Sequence, residues 1–115
     1  MILSKQQQIF TYNFASLILF IFDKGYTCTQ GETYRTPEQA AIYAKTGKGI
    51  KNSLHCKRLA ADLNLFSPEG VYLTETAQYK WVGDYWKTLN PSNRWGGDFK
   101  LDGNHFSMSP DGVLI

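Results

Sequence analysis

Asn52-Ser-Leu-His-Cys-Lys-Arg-Leu-Ala-Ala-Asp-Leu-Asn-Leu-Phe66 is the stretch on which the fold turns. It is answered downstream by Trp95-Gly-Gly-Asp-Phe-Lys-Leu-Asp-Gly-Asn-His-Phe106. The first offers His55 and Asp62, the second His105, and the chain has no other histidine. Two neutral imidazoles and one hard carboxylate oxygen are the donors that a mononuclear metal site with room for a water requires. His55 and Asp62 stand seven residues apart, which is about 10.5 Å along a straight helix and roughly 23 Å along a straight strand. Ligands of one ion converge within a few Å, so the chain must bend between them. The expectation is His55 on a loop or strand end, Asp62 on a strand from Leu59 to Phe66, and Cys56-Lys-Arg58 turning between.

Upstream, Phe10, Phe14, Leu17 and Ile21 fall at three- and four-residue intervals, which predicts a core helix over Ser4 to Lys24 with Ser4 as N-cap and Gly25 as stop. Its apolar run Ala15 to Phe22 is eight residues long, where a membrane span needs about 20. The run also lacks the basic leader and cleavage site of a secretory signal, so the chain is expected to be kept in the cytosol unless something releases it. Tyr26 to Gln30 alternates as a short strand, and Thr36 before Pro37 announces a helix over Glu38 to Lys45. Thr46-Gly-Lys-Gly-Ile-Lys51 lacks the spacing of a phosphate loop and reads as a solvated connector.

Downstream, Ser67-Pro-Glu-Gly70 has turn chemistry that lets Val71 to Leu73 pair back as a hairpin. Thr74 is the expected cap of a helix over Glu75 to Leu89, with Tyr79, Val82 and Trp86 on one face, ended by Asn90-Pro-Ser-Asn. Phe99 to Met108 is expected to hold a strand interrupted by a turn at Asp102-Gly-Asn104, with His105 at its return. The sum is an α+β fold, a single domain spanning 1–115, in which a small antiparallel sheet is flanked by helices.

Composition narrows the function classes. Of the 115 residues, 12 are basic and 10 acidic, a net charge of +2 with no basic run, so nothing supports a nucleic-acid partner. Cys28 and Cys56 have neither zinc-finger nor Cys-x-x-Cys spacing and read as two reduced, partly buried thiols, with a disulfide as the alternative.

Ser53-Leu-His55 followed by Ala60-Ala-Asp62, and Asp102-Gly-Asn-His105 after them, resemble the Ser-x-His-x6-Asp and acid-x-x-His signatures of the zinc D-alanyl-D-alanine carboxypeptidase and dipeptidase family. Tyr34-Arg-Thr-Pro-Glu-Gln39 and Arg94-Trp-Gly-Gly-Asp-Phe99 are similar to its phage endolysin branch, the L-alanyl-D-glutamate peptidases. The similarity runs from the first helix to about Met108. Arg58 departs from it, standing where many members have glycine.

The resemblance implies a zinc cofactor (Zn2+) held by His55, Asp62 and His105 in a cleft over the sheet. It implies Asp102 as general base, Arg35 on the substrate carbonyl or developing oxyanion, and Ser53, Gln39 and Trp95 at the substrate. Ser53 fits orientation of substrate or ligand better than attack. The same resemblance implies a monomer acting on peptidoglycan after a holin-type factor releases it from the host bacterial cytoplasm, and no membrane span. Free of the resemblance, Arg35 can be a surface ion-pair residue and Asp102 a turn residue before Gly103. The alternatives are a D-alanyl-D-alanine carboxypeptidase, a wall-binding protein that keeps zinc but not the chemistry, or a non-haem iron oxygenase. The last usually places its acid two residues after the first histidine rather than seven.

Overall fold

The structure, a computed structural model, describes residues 2–49 and 53–110. The last two residues of the predicted connector, at 50 and 51, and the tail from 111 lie outside them. Helix α1 spans Leu3–Asp23 and buries Phe10, Asn13, Leu17 and Ile21; three of the four are in the predicted stripe, while Phe14 is only half-buried against the core. Its N-cap is Ile2, without a side-chain hydrogen bond, so Ser4 lies inside the first turn and does not cap. Gly25, at φ +85°, ends the helix as expected. A left-handed residue there lets the N–H of Tyr26 reach back to the Ile21 carbonyl, and glycine takes that conformation without a Cβ clash.

Strand β1, Thr27–Gln30, follows. Helix α2, Pro37–Lys45, opens with proline in its first turn and the Thr36 hydroxyl accepting from the Gln39 N–H at 3.1 Å. A 3₁₀ turn over Leu54–Lys57 leads into strand β2, Ala60–Phe66. The segment after β2 pairs back through a single bridge, Phe66 to Tyr72, with Leu73 donating to the Leu65 carbonyl at 2.9 Å.

Two expectations need correction. The helix predicted from Glu75 begins as a 3₁₀ turn over Thr76–Tyr79, and only Lys80–Thr88 is helix α3. The cap is Glu75, not Thr74: the side chains of Glu75 and Gln78 each bond the other's main-chain N–H, a capping box that Thr74 stands outside. Of the strand predicted over Phe99 to Met108 only the part after the turn is present, as β4, His105–Met108, which lies between β2 and an unpredicted three-residue strand, β3, Asn93–Trp95. The chain between them is a 3₁₀ turn over Gly96–Asp98 followed by a loop.

All pairings are antiparallel, in the order β1-β2-β4-β3. Along β2 the buried Ala61, Leu63 and Leu65 alternate with half-buried Asp62, Asn64 and Phe66. The first set joins one core cluster with Leu17 and Ile21 of α1 and Val82 and Trp86 of α3. Trp86 is fully buried, meets Phe10 and Phe106 edge-on, and shares its indole N–H between the Arg94 and Ser107 carbonyls at 3.0 Å each. The Tyr79 hydroxyl donates to the Leu73 carbonyl and accepts from the Leu65 N–H, tying the start of α3 to β2. Among the described residues no helix is long and apolar enough to cross a membrane. Cys28 and Cys56 are free and half-buried, and burial pushes the Cys28 thiol pKa up.

Candidate metal centre

His55 owes its place to a local device. The Ser53 hydroxyl accepts from the His55 N–H at 3.1 Å and caps the 3₁₀ turn, which ends at Arg58 in the left-handed conformation, φ 56° and ψ 36°. The Leu59 N–H then reaches back to the Leu54 carbonyl at 3.0 Å. This is the bend that the spacing of His55 and Asp62 requires, and it delivers the chain onto β2 two residues before Asp62. His105 meets Asp62 by a different route. In the register of β2 and β4 they are directly opposite one another, and facing residues on one side of an antiparallel pair hold their Cβ atoms about 4.5–5.5 Å apart.

His55 Nδ1 lies 3.2 Å from the Thr33 carbonyl, which can only accept, so this nitrogen carries a proton and Nε2 is the nitrogen turned to Asp62. Nε2 is 3.6 Å from Asp62 Oδ1, and His105 Nδ1 is 3.3 Å from the same oxygen. One donor atom from each of the three residues lies within 4.8 Å of the others. Ligands at about 2.0–2.2 Å from a tetrahedral zinc stand roughly 3.3–3.5 Å from one another, so the two separations from Asp62 are close to what an ion needs. Both histidines are 1% exposed, while the Asp62 side chain is 22% exposed and forms the open side. Burial pushes the Asp62 carboxyl pKa up, but hydrogen bonds and charge from His105 and His55 outweigh it, and the carboxyl ends below its ordinary value. The donor set fits a zinc-type ion: two imidazole nitrogens, one carboxylate oxygen, and a histidine whose second nitrogen is held by a main-chain carbonyl.

The other predicted site residues are Asp102 before β4, Arg35 and Gln39 at the start of α2, Ser53 before the 3₁₀ turn and Trp95 in β3. Asp102 is half-buried in the turn before β4, where its carbonyl accepts from the His105 N–H at 3.1 Å. It lines a polar cavity of about 170 Å³ together with Thr74, Thr76 and Asn104. Gly96 makes this possible, since a Cβ there would lie 2.2 Å from the Asp102 carbonyl oxygen and 2.9 Å from the His105 Cβ. Arg35 is 9% exposed and not a surface residue; its guanidinium is bound to Glu32 and lies over the Tyr43 ring at 4.8 Å.

Gln39 is half-buried on the first turn of α2. Ser53 is fully buried with its hydroxyl on the His55 N–H, which places it beneath a candidate ligand. Trp95 is 4% exposed, and its indole N–H donates to the Gly103 carbonyl at 2.8 Å, so it braces the turn that carries Asp102. The sequence reading missed Glu32, whose Oε1 lies 3.8 Å from His55 Nε2. The available signal was a carboxylate three residues before Arg35.

No protein-family model matches the chain, and no curated protein does. Among solved structures it is similar to the crystal structure of the L-Ala D-Glu endopeptidase ChiX of Serratia marcescens, with a TM-score of 0.61 and 22% sequence identity over 72% of this chain and 67% of that one. At that identity the likeness is one of fold: the α+β architecture of the described residues, a four-stranded antiparallel sheet with three α-helices, is consistent with the fold of the endopeptidase.

Proposed function

We propose that this chain is a zinc-dependent peptidase that hydrolyses the L-alanyl-D-glutamate bond of peptidoglycan stem peptides. The observation that carries the reading is the convergence of His55 Nε2, Asp62 Oδ1 and His105 Nδ1 on a fold shared with an L-Ala D-Glu endopeptidase. When bound by these three donors, zinc supplies Lewis acidity and a coordinated water whose pKa is lowered to about 7.

The chain's own residues do the rest. Asp102, its carboxylate in no ion pair among the described residues, takes a proton from the attacking water and returns it to the leaving amine. Arg35 offers a buried cation to the oxygen on which negative charge develops, where a preorganised donor is worth more than it would be in water. The Thr33 carbonyl keeps the proton of His55 on Nδ1, so that Nε2 stays available. As a phage endolysin the enzyme acts as a monomer on the wall, reached with the help of a holin-type factor.

Mass spectrometry of fragments released from purified peptidoglycan, with and without a chelator, tests the reading. Chelator-sensitive release of stem peptides bearing a new D-glutamate amino terminus is the expected result. Free D-alanine would move the chain to carboxypeptidase chemistry. No release from protein that binds zinc stoichiometrically would leave it a wall-binding protein.

A further inference from the structure

The segment that leads from β1 into α2 grips two of the three candidate ligands by their main chains and rings. Gly31 N–H donates to the Asp62 carbonyl and Asp62 N–H to the Glu32 carbonyl, each at 2.8 Å. The His55 ring donates to the Thr33 carbonyl, and Arg35 N–H donates to the His55 carbonyl at 3.2 Å. Two charged side chains leave this segment toward the centre, those of Glu32 and Arg35. Arg35 donates to a single oxygen, Glu32 Oε1, through both Nε, at 3.0 Å, and Nη2. Its third nitrogen, Nη1, is buried and has no hydrogen-bond partner among the described residues. A Cβ at Gly49 would lie 3.3 Å from Nη1, so the glycine leaves that nitrogen its room.

A guanidinium this deeply buried needs a counter-charge, and Glu32 supplies it. Two donors on one oxygen, with the Tyr43 ring beneath, also fix the plane in which the guanidinium lies. What remains is a single unused nitrogen, Nη1, buried on the side of Gly49. Glu32 itself has little left to offer an ion: its oxygen nearest His55 Nε2 is the one that already accepts from Arg35 twice. Nor does it belong to the set of donor atoms that lie within 4.8 Å of one another.

We propose that Glu32 is a positioning residue for Arg35, fixing the plane and place of the guanidinium that serves the substrate, and that it is not a metal ligand. The role at substrate rests on the peptidase reading above; the geometry that it requires does not. Holding Arg35 also neutralises it, which keeps an uncompensated cation away from the place where a metal dication would bind.

A double-mutant cycle between Glu32→Ala and Arg35→Ala separates action through Arg35 from any other action. Glu32→Ala alone is expected to lower kcat/KM about 10- to 100-fold, the range seen when a supporting partner of a site is removed. In the Arg35→Ala background it is expected to change neither kcat/KM nor zinc affinity by more than about threefold. A tenfold or greater loss of zinc affinity on adding Glu32→Ala to Arg35→Ala would make Glu32 a ligand and overturn the proposal, as would an unchanged kcat/KM in the single variant. If Glu32→Ala does not fold, Glu32→Gln takes its place in the cycle, keeping the side chain's size without its charge.

A measurement that needs no turnover keeps this separate from the peptidase reading. In nitrogen-edited NMR of the full chain, the Arg35 Nε–H signal should exchange slowly with solvent in the wild type and rapidly once Glu32 is replaced, with the backbone spectrum preserved. Slow exchange in both proteins would overturn the positioning role even if the enzyme is active. Loss of protection in a protein that cuts no peptidoglycan would keep the role and remove the peptidase.

Discussion

The two faces of β4 are built under opposite rules. All four of its residues, His105–Met108, are buried, yet Phe106 and Met108 enter the apolar cluster with α1 and α3, while His105 and Ser107 point the other way, as alternation along a strand dictates. On the first face the Trp86 indole that meets Phe106 edge-on has two carbonyl acceptors, and the unpaired polar atom is Asn13 Nδ2 on the facing stripe of α1. On the second, His105 Nε2 and Ser107 Oγ are buried with no partner among the described residues. An unsatisfied buried polar group costs about 1–3 kcal/mol. One face carries most of the apolar packing, and the other carries the candidate ligands His105 and, across the register, Asp62.

The sharpest way to break this comparison is at Trp86. Trp86→Ala removes a fully buried indole, two edge-on ring contacts and a shared donor, and is expected to cost about 3–5 kcal/mol. Urea denaturation of the metal-free chain measures it. Asp62→Asn on the other face should do the reverse: a stability change of about 1 kcal/mol, but zinc affinity in a competition titration weakened more than about 100-fold. Were Asp62→Asn to unfold the chain, or Trp86→Ala to spare it, the division of labour between the two faces would be wrong.

The apolar face is also the part that the sequence announces. Phe10, Leu17 and Ile21 repeat at helical intervals and are buried in α1, and Thr36 with Pro37 marks the start of α2, because caps and periodicity are local properties of the chain. The bend between His55 and Asp62 was legible too, by simple geometry. Hidden were the features that depend on register: that Asp62 faces His105 across the β2–β4 pair, and that a three-residue strand, Asn93–Trp95, completes the sheet. Three residues are too few to show alternation, and no local pattern states which strands will lie side by side. The tight fit of the Trp95 ring against Gly83 and Gly97, where any Cβ would lie 2.3 Å from it, was hidden for the same reason, since it exists only in three dimensions.

A smaller effect sharpens the same contrast through pH. The folded-state pKa of Asp62 lies below its ordinary value of 3.8, so its interactions with His55 and His105 contribute stability above that pH and lose it as pH falls through the folded value. In the metal-free chain, the stability difference between wild type and Asp62→Asn should hold from pH 6 to about pH 4 and close below it. A difference that stayed constant to pH 2 would show that the carboxylate's charge contributes nothing to the fold.

The smallest expected effect concerns Arg58, where the polar and apolar faces join at the end of the 3₁₀ turn. Its left-handed backbone, φ 56°, costs a side chain with a Cβ roughly 1–2 kcal/mol, which glycine escapes. Against this, the Arg58 guanidinium lies 4.1 Å from the centre of the Tyr34 ring, and such an exposed cation–π contact returns about 0.5–1 kcal/mol. Arg58→Gly therefore trades backbone relief for a lost contact and a more flexible unfolded chain, so its net change should be within about 1 kcal/mol of zero. Arg58→Ala keeps the strain and loses the contact, and should be less stable than both. The ordering of the three proteins in urea tests whether the turn that presents His55 is held by its backbone geometry or by the side chain laid over Tyr34. If Ala matched arginine and glycine exceeded both, the ring contact would add nothing and strain alone would set the stability of the turn.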